Sequence, residues 1–296
     1  MKPKELGALI LLGALWGGSF PFIRVAVPVL GPFVLMDLRV LLAAVALALF
    51  AVVVGRLPKL RARWREFLIL GTCNAAIPFS LIAASEINLT ASLAAILNST
   101  TALFTAVVAA AWMGESLTKG KVIGLVTGIV GVAVLVGWTP IALSGIVLLS
   151  VGASLLAAFS YAVGSVYAKR TFAGTPSLTM AIGQQAGAAM VLLPLAAANV
   201  PAEAPSLPVV LSTLALALPS TAVAYLLYFY LISNAGPTRT LTVTFLVPVF
   251  GLFFGILFLG EPVGIGTFVG LGIILSSVAL VNGIRFFGRG EREEGA

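Results

Sequence analysis

Two charged side chains stand within a long apolar stretch, where an unpaired charge is unfavourable. Asp37 and Arg39 lie near the start of the stretch at 33–54. A charge at the centre of a membrane-spanning helix costs roughly 2.5–3.5 kcal/mol on insertion scales, so each charge needs a partner or a function. Two interpretations are open for Arg39. It extends to the outer headgroups, or the two residues form a carboxylate anchor or gate ion pair near the outer mouth. Residues two apart do not share a helix face, so we expect them to have different partners.

A second candidate set consists of amide and hydroxyl side chains. Asn98, Thr101 and Thr105 are spaced i, i+3 and i+7, which places them on one helix face. Thr240 and Thr244 share a face of a later stretch. Such groups are unfavourable toward lipid, so they face the interior, either to bond other helices or to line a cavity. Weaker additions are Asn74, Ser80, Gln184 and Gln185.

Aromatic rings inside the apolar stretches form a third set. Trp16 and Phe20 share a helix face, and Phe79 adjoins a proline. Most such rings pack or mark the membrane interface. Together with amides, hydroxyls and few full charges, however, they would suit a neutral molecule with a zwitterionic end and an apolar side chain. The predicted substrate site comprises Trp16, Phe20, Phe79, Asn98, Thr101, Tyr161, Tyr225 and Thr244, with Asp37 and Arg39 as the gate or ion pair.

The inventory of reactive side chains argues against catalysis. The chain has no histidine and one cysteine, Cys73, which has no partner for a disulfide within the chain. A Ser–His pair, a zinc HExxH motif and the usual haem ligand are therefore excluded. Asp37 is the single aspartate, so an intramembrane aspartate dyad is impossible. We predict no enzyme activity, no metal and no cofactor.

The composition shows which elements must position these residues. Hydrophobic residues make up 60% of the chain and charged residues 9%, far below the roughly 25% of soluble domains. Each apolar stretch is long enough to cross a bilayer as a helix. The stretches lie at 6–27, 33–54, 67–84, 90–112, 121–137, 145–168, 177–198, 208–232, 239–258 and 263–284.

The basic residues predict the orientation of the chain. All of the 17 Lys and Arg except Arg24 and Arg39 fall in alternate loops or at the termini, on one side of a ten-helix bundle. The positive-inside rule then places both termini in the cytoplasm. This placement also accounts for the net charge of +7 without a nucleic-acid partner.

The chain repeats itself at a shift of 146 residues, where Met113–Leu125 meets Leu259–Leu271. A unit with an odd number of helices enters the membrane from the opposite side, so the halves are inverted. We predict an all-α integral membrane protein of ten transmembrane helices in two inverted five-helix repeats, at 1–140 and 141–284, followed by a charged cytoplasmic tail at 285–296. Equivalent pairs, some at a shift of 145, are Trp16 and Tyr161, Arg24 and Lys169, Asn98 and Thr244, and Glu115 and Glu261.

The two glutamates of the repeated Gly-Glu unit suggest a structural role. Because inverted mates cannot both face one compartment, Glu115 and Glu261 are poor candidates for the substrate site. Each is expected to cap the amides at the start of the following helix. No carboxylate falls near the centre of a stretch, so we expect a facilitator without a dedicated proton carrier, Asp37 being the one exception.

Three segments carry a resemblance to a known family: GALWGGSFPFIRVAV near the start, the arginine in PFVLMDLRVLLAA, and the paired Gly-Glu. They resemble the EamA repeats of the drug/metabolite transporter superfamily over about residues 6–284. Within it, the chain looks most like the bacterial YddG-type exporters of aromatic amino acids. The resemblance implies an inner-membrane carrier that exports aromatic and other large neutral amino acids by alternating access.

Other functions stay open at this point. An exporter or flippase of another metabolite, drug or lipid would share the architecture, whereas a channel or membrane enzyme fits it least. The expected partners are a small-molecule substrate and membrane lipids. A monomer or weak homodimer is expected.

Overall fold

The computed structural model describes residues 1–140 and 142–283, apart from the side chains of Pro237 and Thr238. The described chain is helical throughout, without strands. The predicted tail at 285–296 lies outside the described residues. The α-helices are α1 Pro3–Gly17, α2 Ser19–Val53, α3 Trp64–Gly71, α4 Ile77–Ser85, α5 Ala91–Asn98, α6 Thr101–Met113, α7 Lys119–Gly137, α8 Gly145–Thr171, α9 Ser177–Ala197, α10 Leu207–Ala217, α11 Ala224–Ala235, α12 Pro237–Thr240, α13 Val243–Leu259 and α14 Ile265–Val281.

These helices join into longer apolar runs. In the described residues seven runs are long and apolar enough to cross a membrane, and α13 and α14 are two shorter apolar helices. The chain is therefore a multi-pass membrane protein. The seven runs are Pro3–Val53, Arg61–Ser85, Ala91–Met113, Lys119–Gly137, Gly145–Thr171, Ser177–Ala197 and Leu207–Ala235.

The first run is interrupted at Gly31. It has 51 residues, which at 1.5 Å per residue would extend about 77 Å, more than twice the roughly 30 Å of a hydrocarbon core. Gly31 has φ 68° and ψ 166°, which glycine adopts without a steric penalty. Pro28 and Pro32 flank it and lack the N–H that would continue the helical hydrogen bonds. These three residues break the run near its middle.

Two π-helical segments occupy equivalent places. They span Thr72–Ala76, between α3 and α4, and Leu218–Val223, between α10 and α11. Their first residues are 146 residues apart, the shift at which Glu115 meets Glu261. Single π-helical turns often lie at functional sites because they redirect side chains within a helix. The two segments contain Asn74 and Thr221, whose side chains take part in the hydrogen bonds around the site described below.

Small residues allow α7 and α14 to pack closely. A Cβ atom at Gly124 would lie 2.7 Å from the Val281 Cγ2 atom, and one at Gly131 would lie 2.7 Å from the Ile274 Cγ1 atom. The glycine row of α7 therefore serves packing within the chain, where absent side chains let backbones approach. One large buried apolar cluster gathers residues of α1, α2, α4, α5, α8, α9, α10, α11 and α13, and its member Phe79 contacts Arg39 of α2.

Candidate functional site

Arg39 lies in the interior of the bundle. Its residue is 5% exposed, so it does not extend to a surface, and the headgroup interpretation is wrong. Its Nε atom donates to Thr221 Oγ1 at 3.0 Å, and its Cζ atom lies 3.9 Å from the Phe79 ring centroid. Among the described residues no ion pair includes it. The result is a buried guanidinium with one neutral partner and one aromatic face.

Asp37 does not neutralise Arg39. The described part of the chain shows no ion pair between the two residues. Asp37 is 4% exposed, and its Oδ1 atom has no hydrogen-bond partner among the described groups. This agrees with the expectation that residues two apart on one helix point to different surroundings.

Aromatic rings from both halves of the chain surround Arg39. The Phe79 and Tyr161 ring centroids are 6.0 Å apart in an edge-to-face arrangement, and those of Trp16 and Tyr225 are 6.4 Å apart. Arg39 interacts electrostatically with both tyrosines. We call Trp16, Arg39, Phe79, Tyr161 and Tyr225 the Arg39 site. All five were predicted from the sequence, and the structure brings them together.

A chain of amides orients Tyr225. Gln184 Nε2 donates to the Tyr225 hydroxyl at 2.7 Å, and Asn74 Nδ2 donates to Gln184 Oε1 at 2.8 Å. Because the hydroxyl oxygen already accepts from Gln184, its own O–H can donate elsewhere. Asn74 Oδ1 is a buried acceptor without a partner in the described chain. By sequence alone both amides are weaker candidates, because nothing local links them to Tyr225.

Of the remaining predicted residues, Phe20 lies in the same buried apolar cluster as Phe79, whereas Thr101 and Thr244 bond within their own helices. Thr101 Oγ1 donates to the Asn98 carbonyl at 2.7 Å, and Thr244 Oγ1 donates to the Leu241 carbonyl at 2.8 Å. These hydroxyls satisfy their own helices, as threonine commonly does. Phe20 is buried in the main core. Among the described residues, no hydrogen bond or ring contact joins Phe20, Asn98, Thr101 or Thr244 to the Arg39 site.

Glu86 is a buried acid. Hydropathy places it in a loop, and it is not among the predicted site residues. It lies in the turn between the spans Arg61–Ser85 and Ala91–Met113 and is 0% exposed. Both carboxyl oxygens lack partners in the described chain. Arg24, the nearest cation, donates instead to the backbone carbonyl of Glu86. Burial, and next the charge of Glu261, raise the pKa of the Glu86 carboxyl well above its ordinary value.

The glutamates of the Gly-Glu units do not cap the helices that follow them, so that expectation was wrong. Glu261 accepts from the amides of Ala91 and Ser92, at the start of α5 rather than α14. Glu115 instead pairs with Lys169 at 2.9 Å and Lys121 at 3.4 Å. The hydrogen bond from Lys169 is the main cause that lowers the pKa of Glu115.

The described residues show no group of three or more His, Cys, Asp or Glu side chains able to hold a metal ion.

Comparison with known proteins gives one consistent result. The profile of the EamA-like transporter family matches residues 4–137 and 143–283. The transporter YvbV of Bacillus subtilis is 28% identical over 95% of this chain and 92% of its own. The inner membrane transporter YedA of Escherichia coli K12 is 29% identical over 93% of this chain and 89% of its own.

Two further matches concern amino-acid export and the fold. A protein of Streptantibioticus cattleyicolor named "Probable terminal-alkyne amino-acid exporter" is 28% identical over 94% of this chain and 93% of its own. One crystal structure superposes with a TM-score of 0.67 at 18% identity, covering 95% of this chain and 96% of that one. At that identity the likeness concerns the fold alone.

Proposed function

Because the chain belongs to the EamA-like transporter family, we propose that it is a carrier that exports large neutral amino acids, aromatic ones included, by alternating access. One observation carries the choice of substrate. The Arg39 site joins a buried guanidinium, which lacks a carboxylate partner among the described residues, to aromatic faces.

The recognition would use both ends of an amino acid. The substrate carboxylate would accept from the Arg39 guanidinium and from the free O–H of Tyr225, since charge-assisted hydrogen bonds are the strongest available to it. An aromatic side chain would pack against Trp16 and Tyr161, adding about 0.5–1.5 kcal/mol beyond the burial of its area. Asn74 Oδ1 is an unpartnered acceptor in the same network and suits the ammonium group. These contacts favour broad selection of large neutral amino acids.

The path through the membrane follows from the break at Gly31. We propose that Pro3–Val53 crosses twice, with α13 and α14 as the last two crossings, which gives ten crossings in two inverted repeats. The positive-inside rule then places both termini in the cytoplasm, in a bacterial inner membrane like that of the relative YedA. Asp37 and Arg39 would form the charged part of the substrate path.

Exchange by the reconstituted protein tests the assignment. Proteoliposomes preloaded with phenylalanine should take up labelled phenylalanine, and excess tryptophan, methionine or threonine should compete at least in part. Arg39→Gln should abolish exchange, whereas Arg56→Gln, in an exposed loop, should not. Exchange confined to nucleotide sugars, lipids or cationic drugs would show that the amino-acid assignment is wrong. The assignment of the protein as a carrier would still hold.

A further inference from the structure

The two Gly-Glu units have the same backbone geometry. Gly114 and Gly260 both adopt the left-handed conformation, at φ 70° and 60°. In each unit the glutamate N–H bonds the carbonyl six residues earlier, at 3.4 and 3.2 Å. A difference between the side chains of Glu115 and Glu261 therefore arises from what surrounds them, not from the local backbone.

Glu261 holds the beginning of α5. Its Oε1 atom accepts from the Ala91 N–H at 2.6 Å, and its Oε2 atom accepts from the Ser92 N–H at 3.0 Å and the Ser92 hydroxyl at 2.5 Å. A carboxylate at a helix N-terminus gains from both the free amides and the helix dipole. The residue is 9% exposed, so this contact is shielded from water.

Arg24 holds the other side of the same turn. Its guanidinium donates to the backbone carbonyls of Glu86 and Ile87, where α4 ends. A cation is favourable at a helix C-terminus because the last carbonyls lack helical partners. The turn 86–91 is thus held by an arginine at the end of one helix and a glutamate at the start of the next. We call Arg24, Glu261 and the turn 86–91 the latch.

The equivalent residues of the other half are engaged with each other. Glu115 corresponds to Glu261 and Lys169 to Arg24 in the repeat, and their side chains form an ion pair at 2.9 Å. The glutamate is more than a third exposed. Neither side chain bonds the backbone of the equivalent segment, 232–237, where α11 ends and α12 begins, in the described part of the chain.

The sequence explains why the second half does not copy the latch. Pro237 stands where the first half has Ala91, and proline lacks the N–H that Glu261 uses. Ala109 stands where the second half has Gly255. A Cβ atom at Gly255 would lie 2.5 Å from Glu261 Oε2, so the methyl group of an alanine would exclude a carboxylate from that position. Among the described residues, no glutamate of the opposite face accepts from the amides at a helix start in this way; there Glu115 pairs with Lys169, and Arg63 donates to the Thr171 carbonyl.

We infer that the latch is a gate at one face of the carrier, which Arg24 and Glu261 must release before that face opens. The inference rests on the proposed alternating access. Because the equivalent pair in the described part of the other half, Glu115 and Lys169, is exposed to solvent and therefore weaker, the resting protein favours the state in which the face at 86–91 is closed. Glu261 and Arg24 therefore set the balance between the two states of the carrier without touching the substrate.

Thiol labelling tests the latch without any substrate. Asn98 lies on α5, seven residues beyond Ala91, so a cysteine there reports access from the latched face. On a Cys73→Ser, Asn98→Cys background, a membrane-impermeant reagent is applied from that face to sealed vesicles. Glu261→Gln should raise the labelling rate about tenfold, because a hydrogen bond to a charged group is lost. Glu115→Gln, the repeat mate, should leave it within twofold.

A second pair keeps the test decisive if Glu261→Gln does not fold. Arg24→Gln should also raise labelling about tenfold, and its mate Lys169→Gln should not. Equal labelling in both latch variants and the parent, with all proteins monodisperse, would show that the latch is not a gate. Failure of phenylalanine exchange would overturn only the proposed substrate, because labelling needs none.

Discussion

The Nε2 atom of Gln184 lies 2.7 Å from the Tyr225 hydroxyl and donates to it. This bond fixes the direction in which the Tyr225 O–H points. It also ties a residue of α9 to the ring that faces Trp16. The Arg39 site is thus positioned by a polar contact between helices, which also orients the Tyr225 O–H as a donor.

We predict that Tyr225→Phe weakens substrate affinity more than it slows exchange. Removing a donor to a carboxylate costs about 1.5–3 kcal/mol, which corresponds to a rise in KM of roughly 10- to 100-fold. Gln184→Leu should raise KM less. It removes the bond that directs the hydroxyl but keeps the Tyr225 O–H and the contact of its ring with Trp16. The matched control is Tyr230→Phe, on the same helix and 40% exposed. Equal KM for Tyr225→Phe and the control would show that the Tyr225 hydroxyl does not bind the substrate.

Arg39→Lys should fail to replace arginine. A lysine keeps the charge but cannot reproduce both the Nε bond to Thr221 and the planar contact with Phe79. We expect at least a tenfold loss of exchange at unchanged amounts of inserted protein, measured as labelled phenylalanine flux per protein. Thr221→Val, which removes only the acceptor, should lose less. Full activity in Arg39→Lys would mean that charge alone suffices.

Gly31→Ala should destabilise the protein through backbone strain. The residue has φ 68° and ψ 166°, a conformation found almost only in glycine, which costs a residue with a Cβ atom on the order of 1–3 kcal/mol. We expect a lower thermal midpoint in detergent. The control is Gly7→Ala, in α1, where a Cβ atom would meet nothing within 4 Å and alanine improves the helix by about 0.5–1 kcal/mol. A midpoint for Gly31→Ala at or above that of Gly7→Ala would contradict the strain.

The sequence predicted those features that depend on local composition. Hydropathy placed α7, predicted at 121–137 and found at Lys119–Gly137, within two residues. The charges inside the second stretch indicated Arg39 as a candidate site residue, because a charged side chain in an apolar stretch needs a partner or a function. The repeat of the Gly-Glu unit is matched by the backbones of the two units, which agree, but the two glutamate side chains bond different partners.

Features that depend on how distant helices pack could not be predicted from the sequence. Glu261 bonds Ala91 across 170 residues, and Arg24 bonds Glu86 across 62. Hydropathy placed Glu86 in a loop because it sits at the end of an apolar stretch, and hydropathy does not measure the burial of a turn. The π-helical turn at Thr72–Ala76, which presents Asn74, has no local signal that separates it from an α-helical turn.

Topology can be checked with single cysteines on a Cys73→Ser background. If both termini are cytoplasmic, an impermeant reagent applied outside should label a cysteine at Ala204 and not one at Lys59. Both positions are exposed in the structure, so burial does not explain a difference. Labelling of Lys59→Cys from outside would overturn the ten-crossing arrangement.

The last prediction concerns Glu86 and pH. Burial raises the pKa of this carboxyl above its unfolded value of about 4.3. The folded protein therefore binds a proton more tightly than the unfolded chain. Its relative stability is fully present below the unfolded pKa and is lost as the pH rises through the folded pKa.

We expect the thermal midpoint in detergent to fall from pH 5 to pH 8 in the parent. Glu86→Gln should remove much of that fall, because a neutral amide has no proton to lose. The charges that act on Glu86, namely Arg24, Arg39 and Glu261, stay in place in this variant. Glu66→Gln, at a partly exposed acid paired with Arg63, should retain the parent profile. Parallel profiles for the parent and Glu86→Gln would show that Glu86 does not titrate in this range.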